Sequence, residues 1–311
     1  MKIAVMGAGG VGGYVGARLQ AAGEDIAYIA RGAHLAALRK DGLRLEHADE
    51  NLAEGNLHLP QVVASDKPQD LGQVDVVLFA VKLWDVEQAA RELPPLLAAH
   101  TRVITLQNGI DSVDMVAQHV SRAQVIGGSI YVSAVIARPG VISSVGTFHR
   151  IVVDAAGGDR VVADFVAACD RASGVDCVAT DAIERALWEK FVALSSISGA
   201  TSLMRSTAGP IVGNAESREF LRQLVGEGIA VAKAAGIALP DDYFEATMTK
   251  FAGLPPGFRA SMAEDLERGK PLELKWLSGR MHGLGLQHGV PTPAHSAVFR
   301  ALNLYVEGRP G

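Results

Sequence analysis

Hydrophobic and polar positions change their rhythm once along the chain. In the first half, short apolar runs alternate with helical spacings. Residues 3–6 read as a strand, 10–22 as a helix ended by Gly23, 26–30 as a second strand, and 33–40 as a helix closed by Asp41-Gly42. Residues 43–59 are polar and broken, in the manner of a hairpin. Residues 74–81 are apolar apart from Asp75, a near-continuous run rather than an alternating one, as strands covered on both faces are. A helix over 86–97 follows, despite Pro94-Pro95, and then a strand over 102–106. Strands are expected at 125–137, 141–145 and 149–155, with Pro139-Gly140 as a turn, and the last at 175–179. Strands alternating with helices imply βαβ units and a parallel sheet.

From about Ile183 the spacing becomes almost wholly helical. Helices are expected over 183–203, 215–235, 242–252, 260–268, 272–288 and 293–306, separated by Gly236, Pro240, Pro255-Pro256-Gly257, Pro271, Gly289 and Pro291. The expected organisation is therefore an α/β domain over 1–181 and an all-α domain over 182–311, with the boundary near Asp181. A cleft between two such domains is the default place for a small-molecule site.

Composition narrows the picture. The 311 residues are 49% hydrophobic and 20% charged, which suits two folded domains and not a disordered chain. A net charge of −5 gives no basic footprint for nucleic acid, so no nucleic-acid partner is expected. The two cysteines, Cys169 and Cys177, make no disulfide framework and fit a reducing cytoplasm. The opening apolar run meets glycine too soon for a signal peptide. No window approaches the roughly 18 uninterrupted apolar residues of a membrane span. The nine histidines have no zinc-ligand spacing, so no metal is expected.

The first candidate chemistry is Gly7-Ala8-Gly9-Gly10-Val11-Gly12, a G-x-G-x-x-G turn with a strand before it and a helix after it. In that context the first glycine permits the tight turn, the second lets backbone approach a pyrophosphate, and the third lets helix and strand pack closely. The helix N-terminus offers N–H groups to the phosphates. The first domain is thus expected to be a Rossmann-type doubly wound sheet that binds a dinucleotide. At the end of the second strand, NAD sites place an acidic residue and NADP sites an arginine. Here the strand runs into Arg31, whose guanidinium can clamp a 2′-phosphate, so NADP(H) is the expected cofactor.

Four further segments occur in order: Phe79-Ala80-Val81-Lys82-Leu83-Trp84, Leu106-Gln107-Asn108-Gly109, Leu187-Trp188-Glu189-Lys190-Phe191 and Leu272-Glu273-Leu274. With them the chain resembles the ketopantoate reductases (2-dehydropantoate 2-reductases) over nearly its whole length. The resemblance implies NADPH-dependent reduction of ketopantoate to pantoate, a step toward pantothenate and coenzyme A. It implies that Arg31 meets the 2′-phosphate, that Lys82 and Asn108 lie on the cofactor side, and that Ala134 makes a backbone cofactor contact. Lys190 corresponds to the catalytic lysine, Ser261 to a ligand of the substrate carboxylate, and Glu273 to an active-site carboxylate. A lysine suits this chemistry, because hydride addition to a ketone develops negative charge on oxygen that needs a cation or proton donor.

The chain departs from the family pattern on the substrate side. Family members carry asparagines one and two turns after the catalytic lysine, where this chain has Leu194 and Ser198. Ala208 and Ser278 stand at two further asparagine positions. A leucine has neither donor nor acceptor, so discrimination between substrates would shift; Ser195, Ser196, Ser198 and Thr201 are the residues available to replace lost contacts. Two alternatives therefore stand beside ketopantoate reduction: a paralogous reductase of another bulky 2-oxo acid, and a non-catalytic NADP(H)-binding sensor. A homodimer is the oligomer considered, with the helical domain as its candidate face, although no single apolar stripe marks one.

Overall fold

A computed structural model describes residues 1–309. The first half folds as β1 (Lys2–Met6), α1 (Gly10–Ala21), β2 (Asp25–Ile29), α2 (Gly32–Asp41), β3 (Leu43–His47), β4 (Leu57–Leu59), β5 (Val63–Ser65) and β6 (Val74–Phe79). It continues with α3 (Val86–Arg91), β7 (Leu97–Thr105), α4 (Ser112–Ala117), β8 (Val125–Arg138), β9 (Val141–Asp154), α5 (Arg160–Arg171) and β10 (Asp176–Thr180). The ten strands form one sheet in the order β4-β3-β9-β8-β7-β6-β1-β2-β5, with β10 also on β9. From β8 to β5 all neighbours are parallel, and β1 lies between β2 and β6. The order reverses beside β1, which is the doubly wound pattern that leaves a crevice at the carboxyl ends of the strands. β8 and β9 form a long antiparallel ribbon, and β3 pairs antiparallel with β4.

Several elements differ from the expected ones for identifiable reasons. The helix expected to reach Leu97 ends at Arg91, because Pro94-Pro95 cannot continue it; a 3₁₀ turn covers Pro94–Leu96 and Leu97 already begins β7. The two strands expected over 141–155 are one, because β8 supplies a partner along most of its length. The short β5, α4 and α5 had no place in the sequence reading.

The remainder is helical: α6 (Ile183–Leu203), α7 (Ala208–Gly213), α8 (Ala215–Ala234), α9 (Tyr243–Ala252), α10 (Ser261–Glu267), α11 (Ser278–His288) and α12 (Pro293–Leu302). α7 was not anticipated. The helix expected over 272–288 is interrupted: Glu273–Trp276 is a 3₁₀ turn, and Leu277 leaves helical geometry at φ −108°, ψ −104° before α11 starts. α12 stops at Leu302 and a 3₁₀ turn covers Asn303–Tyr305, so the helix does not run to Val306.

The chain divides into two compact units, residues 1–107 with 111–183, and Glu184 onward with Asn108–Ile110. Each has its own core. The first gathers Ile3, Val5, Tyr28, Leu78, Ile104 and Phe165, and the second Trp188, Phe191, Val225, Met281 and Val298. α6 is the most enclosed helix of the second unit, buried all round from Ser195 to Ser202. Among the described residues no helix is long and apolar enough to cross a membrane, and no group of three acidic, histidine or cysteine side chains could hold a metal ion.

Candidate active site

In the first unit, the glycine turn sits at the carboxyl end of β1. Gly7 has φ +98°, a left-handed conformation that favours glycine, and a Cβ there would lie 2.9 Å from the Val81 nitrogen. The Ala8 N–H donates to the Ile29 carbonyl at 2.9 Å, which ties the turn to the end of β2. A Cβ on Gly12 would lie 2.3 Å from the Gly7 carbonyl oxygen, and one on Gly10 would lie 1.9 Å from the Ala134 carbonyl oxygen. These two glycines let the first turn of α1 press against β1 and β8. Gly9 differs, because a Cβ there would meet nothing within 4 Å. The turn is therefore closed behind and open at Gly9, with partly buried Val11 in the first turn of the helix.

The turn thereby gathers Ala134 and the segment leading to Lys82. Lys82 is exposed after β6, its ammonium 5.5 Å from the Trp84 ring centre. Gln107, absent from the expected site, is buried and donates from Nε2 to the Phe79 and Val81 carbonyls at 2.8 and 3.2 Å. It fixes the segment that faces Gly7, while its Oε1 is buried without a partner among the described residues. Its neighbour Asn108 in the Leu-Gln-Asn-Gly segment was the only hint available in the sequence.

Arg31 stands where β2 gives way to α2, at the helix N-cap, with its side chain 54% exposed. Its Nη2 lies 3.3 Å from Glu92 Oε1. Arg31 borders an open groove of about 700 Å³.

The second unit brings together a different set. Lys190 lies two turns into α6. A margin of its side chain stays accessible, yet its surroundings are dense enough that burial is the main influence on its ammonium. Burial pushes its pKa from 10.5 down to about 8, and the carboxylate of Glu273 opposes that shift. Glu273 opens the 3₁₀ turn before α11 and is only 6% exposed, so it is no solvated helix-start acid. Asn108, expected on the cofactor side, clusters with this unit and donates from Nδ2 to Glu273 Oε2 at 2.9 Å. An ammonium poised near neutrality beside an oriented carboxylate is an acid–base arrangement.

The remaining expected residues divide by burial. Ser261 is exposed at the first position of α10. Leu194, one turn after Lys190, is partly exposed. Ser198 is 1% exposed, and its hydroxyl has no partner among the described residues. The hydroxyls of Ser195, Ser196 and Thr201 donate to the carbonyls of Phe191, Val192 and Ile197, four residues back, at 2.5, 2.8 and 2.7 Å. They are buried and bonded within the helix, so they do not replace the missing amides. Ser278 is buried against His295, with Oγ 3.3 Å from Nδ1, and Ala208 is buried at the start of α7.

The chain is similar to known proteins along almost its whole length. The family model described as ketopantoate reductase PanE/ApbA matches residues 3–158, and the model of that family's C-terminal part matches 182–306. A 2-dehydropantoate 2-reductase of Mesorhizobium japonicum is 31% identical over 321 aligned positions, covering 96% of both chains. One from Archaeoglobus fulgidus is also 31% identical, over 99% of this chain and 97% of the other. The crystal structure of a PanE/ApbA family ketopantoate reductase from Ralstonia eutropha superposes with a TM-score of 0.88 at 31% identity, covering 98% of each chain. The chain belongs to the ketopantoate reductase family, oxidoreductases that interconvert a carbonyl and an alcohol.

Proposed function

We propose that the chain reduces ketopantoate to pantoate with NADPH, and that Lys190 is the general acid. The observation that carries this reading is the Lys190 ammonium, lowered to about 8 by burial, in the same unit as a Glu273 carboxylate held by Asn108. A lysine with an ordinary pKa would be a much weaker proton donor to a developing alkoxide. Lys190 bonds the keto oxygen and passes its proton there as negative charge develops. Glu273 holds the ammonium, or a substrate hydroxyl, in place. Ser261, exposed at a helix start, receives the substrate carboxylate.

The residues of the first unit fit a dinucleotide. The open side of the turn at Gly9 accommodates a pyrophosphate that a Cβ would crowd, with Gly7, Ala8, Gly10, Val11 and Gly12 shaping the cradle around it. Arg31 is the residue for a 2′-phosphate, and Lys82 and the Ala134 backbone are the remaining cofactor contacts of this unit. When bound, reduced nicotinamide supplies the hydride.

A second reading, reduction of another bulky 2-oxo acid, is favoured by Leu194 and Ser198. The first is partly exposed and apolar, and the second is buried. The deciding experiment follows loss of reduced-nicotinamide absorbance with a panel of 2-oxo acids that includes ketopantoate, beside the Lys190→Ala variant. Ketopantoate turning over well ahead of the rest supports the first reading. Preference for another acid supports the second and makes Leu194 a specificity residue. Tight NADPH binding without turnover of any acid refutes both and leaves the sensor. A cytoplasmic homodimer remains part of the proposal, and light scattering at twice the mass of one chain checks the dimer.

A further inference from the structure

Glu92 lies just beyond α3 and was no part of the expected site. Both of its carboxylate oxygens face Arg31, at 3.3 and 3.5 Å from Nη2. Gln88, one turn earlier, donates from Nε2 to Glu92 Oε1 at 3.4 Å and restrains the carboxylate. All three line the groove of about 700 Å³, together with Lys67 and Arg91. The pair is open to water, with Arg31 54% and Glu92 32% exposed. An exposed pair of this kind contributes little to folding and separates readily. Stability therefore gives no strong reason for an acid at this position.

A cofactor phosphate meets Arg31 and Glu92 differently. The guanidinium attracts a doubly charged 2′-phosphate, whereas the carboxylate repels it and must release Arg31 first. A ribose that carries a 2′-hydroxyl meets no repulsion, and a carboxylate within reach is the acceptor that NAD sites use for that hydroxyl. The paired side chains therefore suit different cofactors, the guanidinium a 2′-phosphate and the carboxylate a 2′-hydroxyl, and each occupies the other.

We propose that Glu92 is a specificity-determining residue: by competing for Arg31 it weakens this chain's preference for a 2′-phosphorylated cofactor and lets it accept NADH. The inference rests on the reading of Arg31 as the 2′-phosphate residue. Two probes isolate the subsite without turnover: adenosine 2′,5′-bisphosphate and adenosine 5′-monophosphate, titrated calorimetrically into the full chain. The variants are Glu92→Gln, Arg31→Ala and the double variant; both positions are exposed, so none removes core packing. Glu92→Gln is expected to tighten the bisphosphate about twofold to tenfold, the range for one exposed contact with a doubly charged group. It is expected to leave the monophosphate unchanged or weaker. The gain should vanish in the Arg31→Ala background, where the phosphate has lost its anchor. In fluorescence titrations of Glu92→Gln, NADPH should tighten as the bisphosphate does, and NADH should stay unchanged or weaken as the monophosphate does.

If Glu92→Gln leaves the bisphosphate affinity unchanged while Arg31→Ala weakens it, Glu92 has no such role and the Arg31 assignment survives. If Arg31→Ala itself leaves the bisphosphate unaffected, the NADP reading of Arg31 falls, and this inference with it.

Discussion

The pH dependence of turnover tests the acid–base reading most directly, because the expected position of the break comes from the Lys190 environment. With a pKa of about 8, Lys190 is about nine-tenths protonated at pH 7 and about one-tenth at pH 9. An ordinary lysine at about 10.4 would remain more than nine-tenths protonated across that interval. Initial-rate kcat/KM for 2-oxo acid reduction, at saturating NADPH, is therefore expected to fall about tenfold per pH unit above 8. In the reverse direction the same group must accept a proton, so alcohol oxidation should rise through the same pH. Glu273→Gln removes the charge that opposes the lowering, so the break should move to lower pH. Lys190→Arg, a cation that does not titrate in this range, should lose the break along with most of the activity. A kcat/KM for reduction that stays level from pH 7 to 9 would refute the reasoning, as would an unchanged break in the Lys190→Arg variant.

Two more predictions concern stability and the glycine turn. The folded-state pKa of Lys190 lies below its unfolded value of 10.5, so the folded chain binds fewer protons between pH 8 and 10.5. The cost of about 3 kcal/mol is full below pH 8 and disappears as pH rises to about 10.5. Lys190→Met should therefore raise the denaturation midpoint at pH 7 while abolishing turnover, and the gain should shrink by pH 10; an equal gain at both values would contradict the burial argument. Gly9→Ala should leave Tm within about a degree, since its φ of −77° suits alanine and nothing lies within 4 Å, yet weaken NADPH binding at least tenfold. Gly12→Ala should cost about 1–3 kcal/mol or more of stability, because its Cβ would stand 2.3 Å from the Gly7 oxygen. Equal Tm losses in the two variants would show that the turn serves packing alone.

The doubly wound sheet was legible because β1, β2 and β6 each carry a run of at least four consecutive apolar residues between helical spacings. Proline set the limit at α3, where a spacing count runs on through Pro94-Pro95 and the backbone does not. α5 had a readable signal that went unused: Val162, Phe165, Ala168 and Cys169 share its buried face, and Asp159 caps it by accepting from the Val161 and Val162 N–H groups. β5, three residues long, is too short for any period to appear. In the site, the glycine turn could be read locally, since its chemistry resides in adjacent residues. The contact of Asn108 with Glu273 spans 165 positions, and the pairing of Arg31 with Glu92 spans 61. No local pattern encodes either; the family resemblance supplied Lys190 and Glu273 as active-site residues but set Asn108 on the cofactor side, and only the fold brings it to Glu273.

The substrate side shows why residue type alone misleads about a site. Four hydroxyls on α6 read in sequence as a polar strip able to replace two missing amides. In the fold, three of them return to carbonyls four residues back, the ordinary fate of serine and threonine inside a buried helix. Of these four, Ser198 alone has a hydroxyl without a partner among the described residues, and it is buried where Leu194 is partly exposed. The accessible position one turn after Lys190 is therefore apolar. A substrate hydroxyl facing Leu194 would lose water and gain no hydrogen bond, a loss of roughly 1–3 kcal/mol, or about fivefold to 150-fold in kcat/KM. Leu194→Asn should restore that margin for a hydroxylated 2-oxo acid such as ketopantoate and withdraw it from an unhydroxylated analogue of the same size. Equal effects on both acids would place Leu194 away from the substrate and leave the choice between the two readings to other residues.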